Sequence, residues 1–67
     1  MNVLLNEEVH QTGSHDDLFS FLESLDIKQW KGLAVAVNQQ VIPKSKWKEL
    51  KLKENDQIIL IEAIAGG

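Results

Sequence analysis

Apolar and polar positions alternate with different periods along this chain of 67 residues. Val3-Leu4-Leu5 is a short apolar run closed by Asn6-Glu7-Glu8, and Val9 to Thr12 follows, so the pair predicts a β-hairpin. Gly13-Ser14 breaks that pattern. Leu18, Phe21, Leu22 and Leu25 then recur at i, i+3, i+4 and i+7, the stripe of an amphipathic helix. Phe19, about 100° round the wheel from Leu18, lies off the centre of the stripe. Ser14 with Asp17 three residues on reads as an N-cap and its acidic third position, and Asp16 and Asp17 suit the positive end of the helix dipole. The helix is expected to end near Asp26, and Ile27 to Lys31 is a connector carrying Trp30, punctuated by Gly32.

Leu33-Ala34-Val35-Ala36-Val37 is the clearest strand, bulky on one face and flat on the other. Asn38-Gln39-Gln40 turns into Val41-Ile42, which Pro43 stops. Lys44 to Leu50 reads as a single helical turn tucking Trp47 and Leu50 inward. Leu52 opens a short extended piece, Glu54-Asn55-Asp56 turns again, and Ile58 to Ile64 is the last strand. The order ββαββ, a helical turn, then β predicts an α+β domain with a mixed sheet of four to five strands packed on one helix. This is the layout of the ubiquitin-like β-grasp. Residues 1–64 form the expected domain and residues 65–67 a flexible Gly-Gly tail.

Composition narrows the function. The residues are 43% hydrophobic and 25% charged, as in ordinary globular proteins. A chain this short hides only about 60% of its unfolded surface, so it depends on a well-patterned core. Cysteine is absent, which removes disulfides and thiolate metal sites and means that any sulfur handled here sits on no side-chain thiol. The net charge is −3 and there is no arginine, a poor basis for gripping phosphate backbones, so nucleic acid is not expected as a partner. No apolar run approaches the roughly 20 residues of a membrane span, and the N-terminus lacks the pattern of a signal peptide. A cytoplasmic protein without a membrane partner is expected.

The segment that carries chemistry is Ile61-Glu62-Ala63-Ile64-Ala65-Gly66-Gly67. Glycine has no Cβ, so a Gly-Gly tail passes through a channel too narrow for side chains. Ile64 to Gly67, when extended, reach about 13 Å. A carboxylate becomes an acylating group only once it has a good leaving group. Attack on the α-phosphate of ATP gives an acyl-adenylate, and sulfur transfer converts that to a thiocarboxylate. On the dipeptide alone a frayed terminus is an equal alternative. Its place after a strand, at the end of a β-grasp order, favours the reactive tail.

Leu33-Ala34-Val35-Ala36-Val37-Asn38-Gln39-Gln40-Val41-Ile42-Pro43 with Trp47, Asn55-Asp56-Gln57-Ile58, and the ending Ile64-Ala65-Gly66-Gly67 together resemble the ThiS family of thiamine biosynthesis. The resemblance covers essentially the whole chain. It implies a protein cosubstrate rather than an enzyme, with no bound cofactor. An E1-like adenylating enzyme that consumes ATP would activate Gly67, with Gly66 as the required neighbour. Sulfur from a donor such as a cysteine desulfurase would be loaded as a thiocarboxylate, and thiazole synthase would take it. The family's usual Asp-Gly-Asp turn reads Glu54-Asn55-Asp56 here, and asparagine tolerates the left-handed conformation. Related readings are a sulfur carrier like the small subunit of molybdopterin synthase and a ubiquitin-like protein modifier. A plain interaction module is the reading from a different class.

The last strand is apolar on both faces, and one helix covers only one face of a sheet. If Ile58 and Leu60 join the core, Ile59, Ile61 and Ala63 lie on the open face, with Leu4, Ala34 and Ala36 beside them. With Ile64 and Ala65 these residues form an expected docking patch that leads into the tail, although surface isoleucines are common. Lys44, Lys46, Lys48, Lys51 and Lys53 read as a solvated edge that discourages strand pairing, or as steering toward an acidic partner. Trp47 and Trp30 are expected as core anchors, with an exposed contact the alternative for Trp30. His10 and His15 have no third ligand at a useful spacing, so no metal site is expected.

Overall fold

In the computed structural model, which describes residues 1–62, two hairpins with the same turn chemistry frame the sheet. Strands β1 (Asn2–Leu5) and β2 (Glu8–Gln11) are joined by Asn6-Glu7, and β3 (Leu33–Val37) and β4 (Gln40–Val41) by Asn38-Gln39. Both residues of each loop have positive φ: 47° and 72° in the first, 51° and 72° in the second. That is the signature of the two-residue turn whose twist matches the flanking strands. Asparagine adopts this conformation at small cost, whereas Glu7 and Gln39 hold it against a Cβ clash.

The five strands lie in the order β2-β1-β5-β3-β4, so β5 (Gln57–Glu62) is central. It runs parallel to β1 and antiparallel to β3, which makes the sheet mixed. The two turn asparagines reach β5 from either side. Asn6 Oδ1 accepts from the Leu60 N–H at 2.9 Å, and Asn38 Oδ1 accepts from the Gln57 N–H at 3.0 Å. Asn55 has φ of 69°, the left-handed geometry expected of the turn before β5. Asn38-Gln39 and Gln40–Val41 stand where the sequence places the turn into Val41-Ile42, shifted by one residue.

The helix is shorter than its stripe suggests. α1 spans Leu18–Glu23 and its N-cap is Asp17, not Ser14. A helix begun at Ser14 would use the N–H groups of Leu18 and Phe19 to bond Ser14 and His15. Here they donate instead to the carbonyls of Leu50 (2.9 Å) and Trp47 (3.1 Å), while the Leu52 N–H donates to Asp16 O at 2.7 Å. This pairing, centred on an isolated bridge between Asp17 and Lys51, keeps Asp17 extended and starts the helix after it. The Asp17 carboxylate accepts from the Ser20 N–H and from the Ser20 hydroxyl, both at 2.9 Å. The Ser20 N–H bond above all, with the Ser20 hydroxyl and Lys51, holds the Asp17 pKa below its ordinary value against partial desolvation. At the other end the helix stops by Ser24, and Asp26 turns left-handed at φ 57°.

The core lies between α1 and one face of the sheet. Val3, Leu18, Phe21, Leu22, Val35 and Ile58 are almost wholly buried. After Pro43 a single 3-10 turn, Lys44–Lys46, replaces the longer helical turn and brings Trp47 into the core. The indole N–H of Trp47 donates to Ile42 O at 2.8 Å, so the ring's one polar atom is satisfied. Trp30 is half-buried and packs against this core, and Leu50 does the same.

Candidate functional site

The pleat sends alternate residues of each strand to opposite faces. On β5, Ile58 is fully buried and Leu60 half-buried on the helix side, which leaves Gln57, Ile59 and Ile61 on the other. On β3, Leu33, Val35 and Val37 face the core, and Ala34 and Ala36 face away. The register places Ala36 opposite Ile59 and Ala34 opposite Ile61. It also places Val41 opposite Ala36, Val9 opposite Leu4 and Leu4 opposite Gln57.

Val9 and Leu4 on one side and Ile59, Ala36 and Val41 on the other meet diagonally past Gln57, and together make an apolar band across the sheet. It runs through Val9, Leu4, Ile59, Ala36 and Val41, with Ile61 and Ala34 beside it. The four large exposed hydrophobic side chains of the described residues all lie here: Val9 at 67%, Val41 at 70%, Ile59 at 44% and Ile61 at 51%. Apolar exposure gathered on one face makes this the candidate interaction surface of the described residues. The two alanines keep the band flat. Leu4, Glu7, Gln57, Ile58 and Ile59 line a shallow depression of about 220 Å³ within it.

Sequence reasoning named Leu4, Ala34, Ala36, Ile59 and Ile61 for this face and missed Val9 and Val41. The available signal was the length of the hairpin loops. A two-residue loop makes Leu4 the partner of Val9 and Ala36 the partner of Val41, and partners share a face. The remaining expected site residues, Ala63, Ile64, Ala65, Gly66 and Gly67, lie outside the described residues. The last described residue, Glu62, pairs with Leu33 and follows Ile61 directly.

His10 lies on β2 opposite Val3, and His15 in the turn before α1. Among the described residues no group of three or more His, Cys, Asp or Glu side chains is placed to hold a metal ion. Among the same residues no helix is long and apolar enough to cross a membrane.

A mixed five-stranded sheet with one helix on one face, a parallel β1–β5 pair at its centre and a bare apolar opposite face is a ubiquitin-like β-grasp. The ThiS family model matches residues 1–67, and the chain belongs to that family. It is 37% identical to the sulfur carrier protein ThiS of Escherichia coli (strain K12), over all 67 residues and the whole of that protein. The fold is similar to the crystal structure of the thiamine biosynthesis protein ThiS from Geobacter metallireducens. The TM-score is 0.84 and the identity 19%, with the whole of both chains covered.

Proposed function

We propose that this chain is the sulfur carrier of thiazole formation in thiamine biosynthesis, with the Gly67 carboxylate as its working group. The observation that carries the reading is the end-to-end match to a curated sulfur carrier at 37% identity. The Gly66-Gly67 ending supplies the chemistry. An E1-like enzyme binds the apolar band of the sheet and receives the segment after Glu62. The Gly67 carboxylate oxygen attacks the α-phosphorus of ATP, and pyrophosphate leaves. Sulfide (HS⁻) from a donor then attacks the acyl carbon of the adenylate, AMP leaves, and the chain ends in a thiocarboxylate with no change of oxidation state. Thiazole synthase accepts that sulfur.

The protein's own contribution is presentation. The band of Val9, Leu4, Ile59, Ile61 and Val41 gives a partner apolar area to bury beside the tail. In this reading Ala63, Ile64 and Ala65 also contact the partner, and residues 65–67 enter its active site while residues 1–64 stay outside. ATP is consumed by the partner and is not held by this chain. The reading carries with it a cytoplasmic setting.

The test is the intact mass of the protein after incubation with ATP, sulfide and the adenylating enzyme. The expected result is replacement of one oxygen by one sulfur, lost when Gly67 is deleted. An unchanged mass, with the enzyme active on another carrier, overturns the reading.

A further inference from the structure

On the helix side of the sheet, away from the apolar band, three aromatic rings from distant parts of the chain meet. Phe19 of α1 lies 6.0 Å from Trp30 of the connector, and Trp30 lies 6.3 Å from Trp47 beyond the 3-10 turn, both pairs tilted. With Lys44, Ser45 and Lys48 they line a hollow of about 430 Å³. Lys48 Nζ stands 5.1 Å from the centre of the Phe19 ring and Lys44 Nζ 5.9 Å from that of Trp47. Lys44 also donates to Trp30 O at 3.3 Å. The neighbouring Lys46 and Lys51 are paired with Glu49 and Asp16 at 3.5 and 3.7 Å. Among the described residues no carboxylate comes within 4.0 Å of Lys44 or Lys48.

We propose that this hollow binds an acidic segment of a partner protein. An apolar side chain of the segment enters among Phe19, Trp30 and Trp47, and flanking carboxylates meet Lys44 and Lys48. The chain as a whole is acidic at −3, yet among the described residues the two lysines held over aromatic rings flank this hollow with no carboxylate within 4.0 Å. The polar groups of the lining belong to Lys44, Ser45 and Lys48, all exposed. A small molecule needs enclosure and converging buried polar groups. A side chain presented by a larger partner needs only an apolar floor and a charged rim. A single-stranded nucleic acid would also stack on aromatic rings, but it relies on a longer basic track than two unpaired lysines. Because the hollow and the apolar band lie on opposite sides of the sheet, a partner bound here leaves the band free. The proposal does not depend on the Gly67 chemistry.

The chain's two tryptophans both line the hollow and it has no tyrosine, so intrinsic fluorescence reports on this site. The full chain is titrated at low salt with a capped peptide of one leucine flanked by aspartates and glutamates. Parallel titrations use the same peptide with lysines for the acids, and a short oligothymidine. The expected result is a saturable emission change with the acidic peptide alone, weakened by added salt. Lys44→Glu with Lys48→Glu should reduce the affinity about tenfold. Should that pair unfold the domain by circular dichroism, Lys44→Met with Lys48→Met makes the same test while keeping the apolar stems. Four results would overturn the proposal: no saturable change, an equal response to the basic peptide, preference for the oligothymidine, or undiminished binding by the variants.

Discussion

The side-chain amide of Asn38 donates to the Asp56 carboxylate at 2.9 Å, tying the β3–β4 turn to the turn that starts β5. The other Asp56 oxygen accepts from the Lys53 N–H at 2.8 Å, and Asp56 is buried. Asn38 meanwhile exchanges two bonds with Gln57, its N–H donating to Gln57 O at 2.8 Å and its Oδ1 accepting from the Gln57 N–H at 3.0 Å. Two residues 18 apart in sequence thus set where β5 enters the sheet, and with it which of its side chains face outward.

Asp56→Ala should therefore destabilise the domain by about 1–3 kcal/mol, because the part-buried donors of Asn38 and Lys53 lose a charged acceptor. Urea unfolding followed by tryptophan fluorescence measures this. A loss within a few tenths of a kcal/mol would show that the turn is held by its backbone alone.

Gln39 holds φ of 72° in the second position of its turn, where glycine is the favoured residue. Relief of the left-handed strain outweighs the added freedom of the unfolded chain, so Gln39→Gly should stabilise by about 0.5–1 kcal/mol. An increase in the urea midpoint at constant slope is the expected readout, and a decrease would contradict it.

Asp17 caps α1, and its folded-state pKa is depressed. Between its folded and unfolded pKa values the unfolded chain binds more protons, so this contribution rises with pH there. It is complete above the ordinary aspartate value and is lost as pH falls through the lower, folded one. Asp17→Ala should cost about 1 kcal/mol at neutral pH. Asp17→Asn, also a good cap, should keep most of the stability and lose this acid-limb dependence. Melting curves from pH 2 to 7 distinguish the three proteins, and parallel curves for wild type and Asp17→Asn would refute the assignment.

Ile61 is 51% exposed on the open face and points away from the core. Ile61→Asp should leave the domain folded and weaken association with the adenylating enzyme by about 2 kcal/mol or more, the scale of a central interface residue. Calorimetric titration gives the affinity, and circular dichroism checks the fold. Unchanged binding would remove the band from the interface.

Much of this protein is local in its causes, and that part was legible in the sequence. Alternation of large and small residues from Leu33 to Val37 marks a strand, with one bulky and one flat face, whatever surrounds it. Asn6, Asn38 and Asn55 stand in the turns expected from sequence, the left-handed conformation is expected of Asn55, and all three adopt it. The Gly66-Gly67 ending and the absence of cysteine are chemical facts of composition.

What the tertiary structure decided concerns groups that compete for the same partners across the chain. The first turn of the expected helix did not form, because the N–H groups of Leu18 and Phe19 found carbonyls at Leu50 and Trp47. Periodicity near Ser14 cannot register a competitor more than 30 residues away. The apolar band gained Val9 and Val41 only once strand register set them beside Leu4 and Ala36. Phe19, Trp30 and Trp47 form a hollow only because α1, the connector and the 3-10 turn pack onto the same core. Short-range spacing sets which elements form. Long-range hydrogen bonding and packing set where they stop and which side chains meet.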